Sequence, residues 1–295
     1  MATLRELKER IGSVASTQKT TSAMKMISSA KLHGASARLV RLSPYRGMVQ
    51  GVIGHLLATG EEFSSPLIES REVKRLCIVA FGSDDGLCGA FNINIFKRLL
   101  DIIDQERQSL GNGVEITVIP VGKKLSKAAH KIESATLRVE DVPYMHTRSN
   151  SASLHDFTQL LRERFTQREC DRVDLVYMHF HSTSRQTLAH EQLLPLSAAA
   201  LAGSAPKGSD SAPCIFEPDA NSIFNSVLPL HLRATMQEVF TESAASEQAA
   251  RVMAMQTASD NAKDLLDSLN LEYNKLRQQG ITTELLDILG GQVER

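Results

Sequence analysis

The stretch LRELKERIGSVASTQKTTSAMKMISSAKLHGASARLVRL, residues 4–42, decides the fold of this 295-residue chain. Its positions at alternating three- and four-residue spacing hold apolar side chains from Leu4 to Val14 and again from Leu32 to Leu42. Such a stripe is typical of a helix that packs lengthwise against another helix. The residues therefore predict a long coiled-coil helix within residues 1–60.

The middle of this stripe is polar. Its four seam positions are Gln18, Thr21, Lys25 and Ser28. Polar residues in the seam of a long helix usually set register or contact a third partner. The apolar side chains here are Met24, Met26 and Ile27, which leave the seam and indicate a second contact face.

The other end of the chain carries a matching pattern. Positions 255, 258, 262, 265, 269, 272 and 276 hold Met, Ala, Ala, Leu, Leu, Glu and Leu at the same spacing. The stripe continues through Ile281, Leu285 and Ile288 after a one-step shift, and the segment 230–289 contains one glycine, Gly280. A second long helix is predicted within residues 220–295.

Proline and charge support a pairing of these two arms. None of the nine prolines lies in residues 1–43 or 230–295, so neither arm has to be interrupted. The first arm carries eight Lys/Arg against two Glu, a charge of +6, and the last carries six Lys/Arg against ten Asp/Glu, a charge of −4. We expect the arms to pair with each other, with ion pairs flanking an apolar seam.

The composition also limits the function classes. A net charge of −1 argues against a nucleic-acid partner, which normally requires a basic surplus. The four cysteines have no CxxC spacing, which indicates free thiols in a reducing compartment. The N-terminus lacks the apolar region of a signal peptide, and no apolar run reaches the roughly 20 residues of a membrane span.

Between the arms the pattern changes to short apolar runs separated by helical stretches. Strands are predicted at Leu76–Phe81, Val114–Val121 and Val173–Phe180, with a further strand at Leu193–Leu201; the helices between them are predicted at about 90–109, 123–133 and 153–168. This order predicts an α/β fold with a mostly parallel, Rossmann-like central sheet over 72–202. A linker rich in Gly, Ser and Pro follows at 203–219.

Three possible chemical sites are considered in the central region. The segment Phe81–Asn92, FGSDDGLCGAFN, opens a helix after a strand but lacks phosphate-loop spacing, so a structural turn is favoured. His179, His181 and His190 lack an acidic or Cys residue at ligand spacing, which favours a polar strand face over a metal site. Cys88 has no His near it in sequence and is interpreted as a small buried thiol.

Long motifs in this chain resemble the gamma subunit of F-type ATP synthase. The first arm matches through RIGSVASTQKTTSAMKMISSAKL (10–32), the centre through SDDGLCGAFN (83–92), and the last arm through ESAASEQAARVMAMQTASDNA (242–262) and LEYNKLRQQGITTELLDILGG (271–291). The resemblance spans essentially the whole chain. It implies an antiparallel coiled coil of the terminal helices, standing inside a hexamer of alpha and beta subunits.

The resemblance also implies a function for the chain. It would be the central-stalk rotor of a proton-translocating ATP synthase, a non-catalytic subunit that contacts the epsilon subunit and the membrane c-ring. No cofactor is expected on this chain, since partner subunits bind ATP, ADP and Mg. The expected location is the cytoplasmic face of the bacterial inner membrane, with no membrane span in the chain itself.

By the same motifs, six residues are predicted to contact the catalytic hexamer: Met24, Lys25, Arg277, Gln278, Thr282 and Glu284. Asp85 replaces a residue that is usually basic in the family, and Gly280 stands where Ala or Ser is more usual. Two alternatives from other classes remain. One is a static coiled-coil tether, whose outward faces should be uniformly polar, and the other is an α/β nucleotide-binding enzyme, which requires a phosphate loop.

Overall fold

The computed structural model describes residues 3–59, 63–111, 113–197, 201 and 216–291. Two helices dominate it, α1 (Leu4–Ala58, 55 residues) and the last helix of the chain, α5 (Ala220–Gly291, 72 residues). At 1.5 Å per residue these helices are about 80 and 110 Å long. Thr3 begins α1 with a capping box, in which the Thr3 side chain accepts from the backbone N–H of Glu6 and the Glu6 carboxylate accepts from the backbone N–H of Thr3.

The central region forms one five-stranded sheet. Its strands are β1 (Arg75–Phe81), β2 (Glu115–Val121), β3 (Leu137–Val139), β4 (Arg172–Phe180) and β5 (Gln186–Leu194), in the order β3-β2-β1-β4-β5. Only β5 runs antiparallel to its neighbour. The connecting helices are α2 (Phe91–Leu110), α3 (Lys123–Ala129) and α4 (Ser151–Thr166), with a short 3₁₀ turn at His130–Ile132. The predicted fold class is confirmed.

One strand prediction needs correction and one strand was missed. The predicted strand Leu193–Leu201 meets the edge strand β5 (Gln186–Leu194) at Leu193 and Leu194 but is wrong at 195–197, and residues 198–200 lie outside the described ones. The first seven residues of β5 are all exposed or half-buried and mostly polar, so an apolar run does not reveal it. The short β3 was not predicted, since three residues give too little pattern to detect.

The two long helices extend beyond their proline-free stretches. Pro44 lies inside α1 and Pro229 inside α5. A proline inside a helix removes one backbone hydrogen bond, so each helix must be held at that point by tertiary packing. That packing exists, because Val49 and Ile53 of α1 and Phe224 and Leu228 of α5 belong to one buried apolar cluster with the sheet. The linker predicted at 203–219 lies outside the described residues except for 216–219.

Helices α1 and α5 pack against each other, and the α1 seam follows the predicted spacing from Leu7 to Leu42, with every position buried or half-buried. The α5 seam differs from the prediction. Leu265 is 48% exposed and Glu272 is exposed, whereas Leu266 and Tyr273 are half-buried. The predicted phase was therefore one residue early at these two positions, which explains why it placed a glutamate in the seam.

The predicted ion pairs along the seam are largely wrong. Among the side chains that the structure describes, a single ion pair joins the two helices, between Arg46 and Glu238. Arg46 lies outside the basic stretch 1–43 on which the expectation rested. Most charged side chains of the two arms therefore face solvent, and apolar and small side chains hold the seam together.

The sheet has apolar side chains on both faces. One face packs against the end of α1, helix α4 and the first half of α5, and the other packs against α2 and α3. Gly122, at the end of β2, has φ +115, and a Cβ there would lie 2.9 Å from backbone atoms of Gly82 and Ser83. The crossing of the β1 and β2 loops therefore requires glycine.

Candidate functional site

The four contact residues predicted in α5 lie in its last two turns before residue 285, and all four are exposed. At about 100° per residue, Arg277 and Glu284 share one helix face with Ile281. Gln278 and Thr282 lie about a third of a turn away, and the Thr282 hydroxyl donates to the backbone carbonyl of Gln278 at 2.9 Å. This end of α5 thus presents charged, polar and apolar groups to the outside together.

Apolar side chains at the same end of α5 are exposed as well. Ile281, Leu285 and Ile288, which continue the predicted apolar stripe, are 50%, 55% and 64% exposed. The described part of α1 does not cover them, since the α5 seam ends with half-buried Gly280. The stripe is therefore an exposed apolar surface of the described chain.

On α1 the predicted contact residues Met24 and Lys25 are half-buried at the edge of the seam. Their neighbours Met26 and Ile27 are 69% and 57% exposed, as the predicted second face requires. Because a static tether should have uniformly polar outer faces, these two side chains argue against that alternative.

The polar middle of the α1 seam faces α5. Ser28 is 3% exposed, and the Thr21 hydroxyl donates to the backbone carbonyl of Gln18 at 3.0 Å. A hydrogen bond of this kind satisfies the Thr21 hydroxyl within α1 itself. The two helices consequently meet here without a polar bond between them among the described groups, so contact in this section is weakly directional.

The two groups of predicted contact residues do not form a single site. The ion pair between Arg46 and Glu238 fixes the antiparallel alignment of the helices. Lys25 lies 21 residues from this ion pair along α1, and Arg277 lies 39 residues from it along α5. The difference of 18 residues corresponds to about 27 Å along the rod that the two paired helices form. The structure therefore describes two separate surfaces, one on the middle of the rod and one near its end.

The turn after β1 is a structural connection. Asp84 accepts hydrogen bonds from the backbone N–H of Lys123 at 3.1 Å, at the start of α3, and from the Thr147 hydroxyl at 2.7 Å. Partial burial opposes the charge of Asp84, but these hydrogen bonds outweigh it and lower the pKa of the carboxyl group. The negative charge of Asp84 thus lies in the turn after β1, where a phosphate loop would bind its ligand, and the carboxylate is held by the start of α3, which favours the structural interpretation.

Asp85, the departure from the family pattern, forms an ion pair with Arg148. Its backbone carbonyl and that of Gly86 accept from the guanidinium of Arg251, which also pairs with Glu247 at 2.7 Å. Burial raises the pKa of Glu247 despite this partner. The turn is therefore anchored to α5 by a buried arginine that the sequence analysis did not single out. The sequence did contain a signal for this contact, because Arg251 is a single arginine within the alanine-rich run 244–254.

The three histidines have separate partners. His179 bonds to Glu242 at 2.6 Å, His190 to Asp174 at 2.9 Å, and His181 to Thr187 at 2.9 Å. Among the described residues, no group of three His, Cys, Asp or Glu side chains is placed to hold a metal ion.

Cys88 is 3% exposed and lies beside Ser83 and Asn92, whose polar side-chain atoms are 3.6 and 3.4 Å from its Sγ. Within the described part of the chain, no helix is long and apolar enough to cross a membrane.

Comparison with solved structures supports the fold. A chain of the Euglena gracilis mitochondrial ATP synthase, in a structure of its OSCP, F1 and c-ring, superposes with a TM-score of 0.64 at 20% identity, covering 98% of this chain and 93% of that one. A chain from the central stalk and c-ring structure of the Tetrahymena thermophila mitochondrial ATP synthase gives 0.59 at 24% identity, covering 81% and 99%.

Comparison of sequences identifies the family. A family model described as ATP synthase matches residues 3–293. The ATP synthase gamma chain of Phocaeicola vulgatus is 42% identical over 294 residues, covering 99% of this chain and 100% of that protein, and the gamma chain of Polynucleobacter asymbioticus is 36% identical over 295 residues, covering 99% of both. The chain therefore belongs to the family of ATP synthase gamma chains.

Proposed function

We propose that this chain is the central-stalk rotor of a proton-translocating F-type ATP synthase. It couples rotation of the membrane c-ring to conformational change in the alpha and beta subunits, which synthesise or hydrolyse ATP. The observation that carries the proposal is the rod of α1 and α5, which rises from a compact sheet region in a chain related to gamma chains over its whole length. A shaft that transmits torque needs this combination of a stiff rod and a broad base.

The surfaces described above suit such a shaft. A rotor must meet several partner subunits in turn, so it needs contacts that form and break within one revolution. The end of α5 offers charged, polar and apolar side chains on an exposed helix surface, where individual contacts with a partner can form and break. We infer that Arg277, Gln278, Thr282 and Glu284 contact the beta subunits, and that Met24 and Lys25 contact them lower on the rod.

The remaining assignments follow from the same role. The sheet region would contact the epsilon subunit and the c-ring, at the cytoplasmic face of the bacterial inner membrane. Nucleotide and Mg would bind to the partner subunits, and this chain would contribute no catalytic residue. In support, the turn after β1 carries the carboxylate of Asp84, held by the backbone N–H of Lys123, which would repel a phosphate.

Co-purification tests the assembly. A tagged chain should recover alpha and beta subunits from its own cells, and recovery without them would contradict the rotor function. The purified chain freed of alpha and beta should hydrolyse no ATP. Turnover that persists in that preparation would contradict the non-catalytic assignment.

Substitution tests the contact surface. The pair Arg277→Ala and Gln278→Ala should lower ATP synthesis coupled to a proton gradient in inverted vesicles, with the complex still assembled. The matched control is Asn94→Ala with Lys97→Ala, an amide and a cation on the exposed face of α2. Equal synthesis by both double variants would remove Arg277 and Gln278 from the proposed surface.

A further inference from the structure

One arginine joins three distant segments of the chain where the rod meets the sheet. Arg46 of α1 donates through Nη2 to Glu191 of β5 at 2.6 Å and through Nη1 to Glu238 of α5 at 2.7 Å. The residues of these two pairs are 145 and 192 positions apart in sequence. Each of the three elements thus contributes one charged group to a single contact.

The contact is partly shielded from water. The side chains of Arg46, Glu191 and Glu238 are 23%, 32% and 11% exposed. Burial disfavours the charge of Arg46, but the two carboxylates raise its pKa above the ordinary arginine value. The guanidinium therefore stays charged, and its planar fork fixes the direction of both bonds.

Further groups hold the carboxylates in place and face the same arginine. The hydroxyl of Tyr177 on β4 donates to the second oxygen of Glu191 at 3.2 Å. On α5, His231 is 4% exposed, and burial lowers its pKa with a further contribution from the charge of Arg46. Also on α5, Glu242 pairs with His179 of β4. The arginine is thus set in a network anchored on the sheet.

The place of this contact along α1 is mechanically sensitive. Pro44 lies two residues before Arg46 and removes one backbone hydrogen bond from the helix. Helices bend most readily at such positions. If the sheet region at the base of the rod is twisted, α1 would bend at Pro44 and transmit less of the twist, unless its next turn is fixed to its surroundings.

Apolar packing alone does not fix that turn in rotation. Further up the rod, Leu32 packs on Ala245 and Ala249, small side chains that permit sliding and rolling because hydrophobic contact is non-directional. At the base, Val49 and Ile53 bury apolar surface in the same non-directional way. The two charged hydrogen bonds of Arg46 to carboxylates on different elements, in contrast, lose their geometry when the helix rotates by even a fraction of a turn.

We propose that Arg46 is a positioning residue that locks the rotational angle of α1 to the sheet region and to α5. This inference rests on the proposed rotor function, in which torque enters at the base and leaves along the rod. Rotation of the sheet region then turns both helices together, because Arg46 of α1 is bonded to Glu191 of the sheet and to Glu238 of α5. Loss of the arginine leaves the rod assembled but torsionally softer.

The test measures torsional stiffness in the assembled complex. With the hexamer immobilised and stalled, a bead attached to the exposed face of α2 reports the angular fluctuation of the base. Arg46→Gln should at least double the variance of that angle. Arg46→Lys, which keeps the charge but loses the planar guanidinium that reaches both carboxylates, should give an intermediate value. The matched control Arg41→Gln alters an exposed arginine of α1 with no described partner and should leave the variance unchanged.

A second variant covers the case in which Arg46→Gln fails to assemble because two carboxylates are left unpaired. Arg46→Met with Glu191→Gln and Glu238→Gln removes all three charges, a change that buried ion networks commonly tolerate. It should assemble and show the same softened joint. Wild-type stiffness in either assembled variant would overturn the role of Arg46. A wild-type chain that does not rotate within the hexamer would instead contradict the rotor function itself.

Discussion

The two halves of α5 share one unbroken helix but differ in what surrounds them. From Ala220 to Arg251 the helix lies between the sheet and α1, and side chains on nearly every face are buried, among them Phe224 and Met236 at 0% exposure. From Met253 onward only a stripe facing α1 is buried, and Leu271 is 73% exposed. We call these the lower and upper halves of α5.

The difference teaches that helix length and helix stability have separate sources. The lower half is held by tertiary burial, which is the main stabilising term for helices in proteins. The upper half gains one apolar stripe and its own backbone hydrogen bonds, and leaves apolar side chains in water. Under the proposed function, that unsatisfied surface is what the surrounding hexamer covers.

The largest effect that separates the halves is a cavity substitution. Phe224→Ala in the lower half should reduce the free energy of unfolding of the full chain by about 3–5 kcal/mol, because it removes a buried ring and leaves a cavity. Leu271→Ala, the control in the upper half, should change it by less than about 0.5 kcal/mol. Urea unfolding followed by circular dichroism measures both. Similar losses in the two variants would break the distinction between the halves.

Acid should weaken the lower half through His231. Burial, with the charge of Arg46, lowers the pKa of this histidine from 6.5 to about 4, while Glu191 acts in the opposite direction. The unfolded chain binds a proton below pH 6.5 and the folded chain does not until about pH 4. The free energy of unfolding should therefore fall by up to about 3 kcal/mol as the pH drops through this window, and His231 should cost nothing above it.

His231→Leu isolates that contribution, since the carboxylates of Glu242 and Glu247, whose pKa values are raised mainly by burial, titrate in both proteins. The difference in unfolding free energy between wild type and this variant should change between pH 7 and pH 4.5. His55→Gln, at an exposed position on α1, serves as the control and should show no such change. A difference that stays constant with pH would contradict the buried neutral state of His231.

The smallest expected effect is a gain in the upper half. Gly280 lies inside α5, and a Cβ at this position would meet nothing within 4 Å. Gly280→Ala should stabilise the local helix by about 0.5–1 kcal/mol, because alanine loses less backbone freedom on forming a helix. Amide hydrogen exchange should slow around residues 273–288 and stay unchanged around 224–250. Slowing in both segments would show that the two halves open together.

The local sequence pattern predicted the structure correctly where a single periodicity or a single apolar run was present. The spacing from Leu7 to Leu42 predicted the α1 seam, and apolar runs located β1, β2 and β4 to within a residue or two. It failed where two phases competed, as at Leu265 and Leu266, because a helix shifted by one residue still presents a leucine. It also failed at β5, whose exposed polar residues follow from an edge position that no local sequence states.

The sequence by itself determined that two long helices pair, that a mostly parallel sheet lies between them in the chain, and, through motif resemblance, the family. Local periodicity and proline placement carry that information because they act over a few turns or one strand. Tertiary structure alone decided which half of α5 is buried, how the helices continue through Pro44 and Pro229, and that Arg46, Glu191 and Glu238 meet. Those contacts join residues more than a hundred positions apart, and only the packed fold specifies their distance and burial.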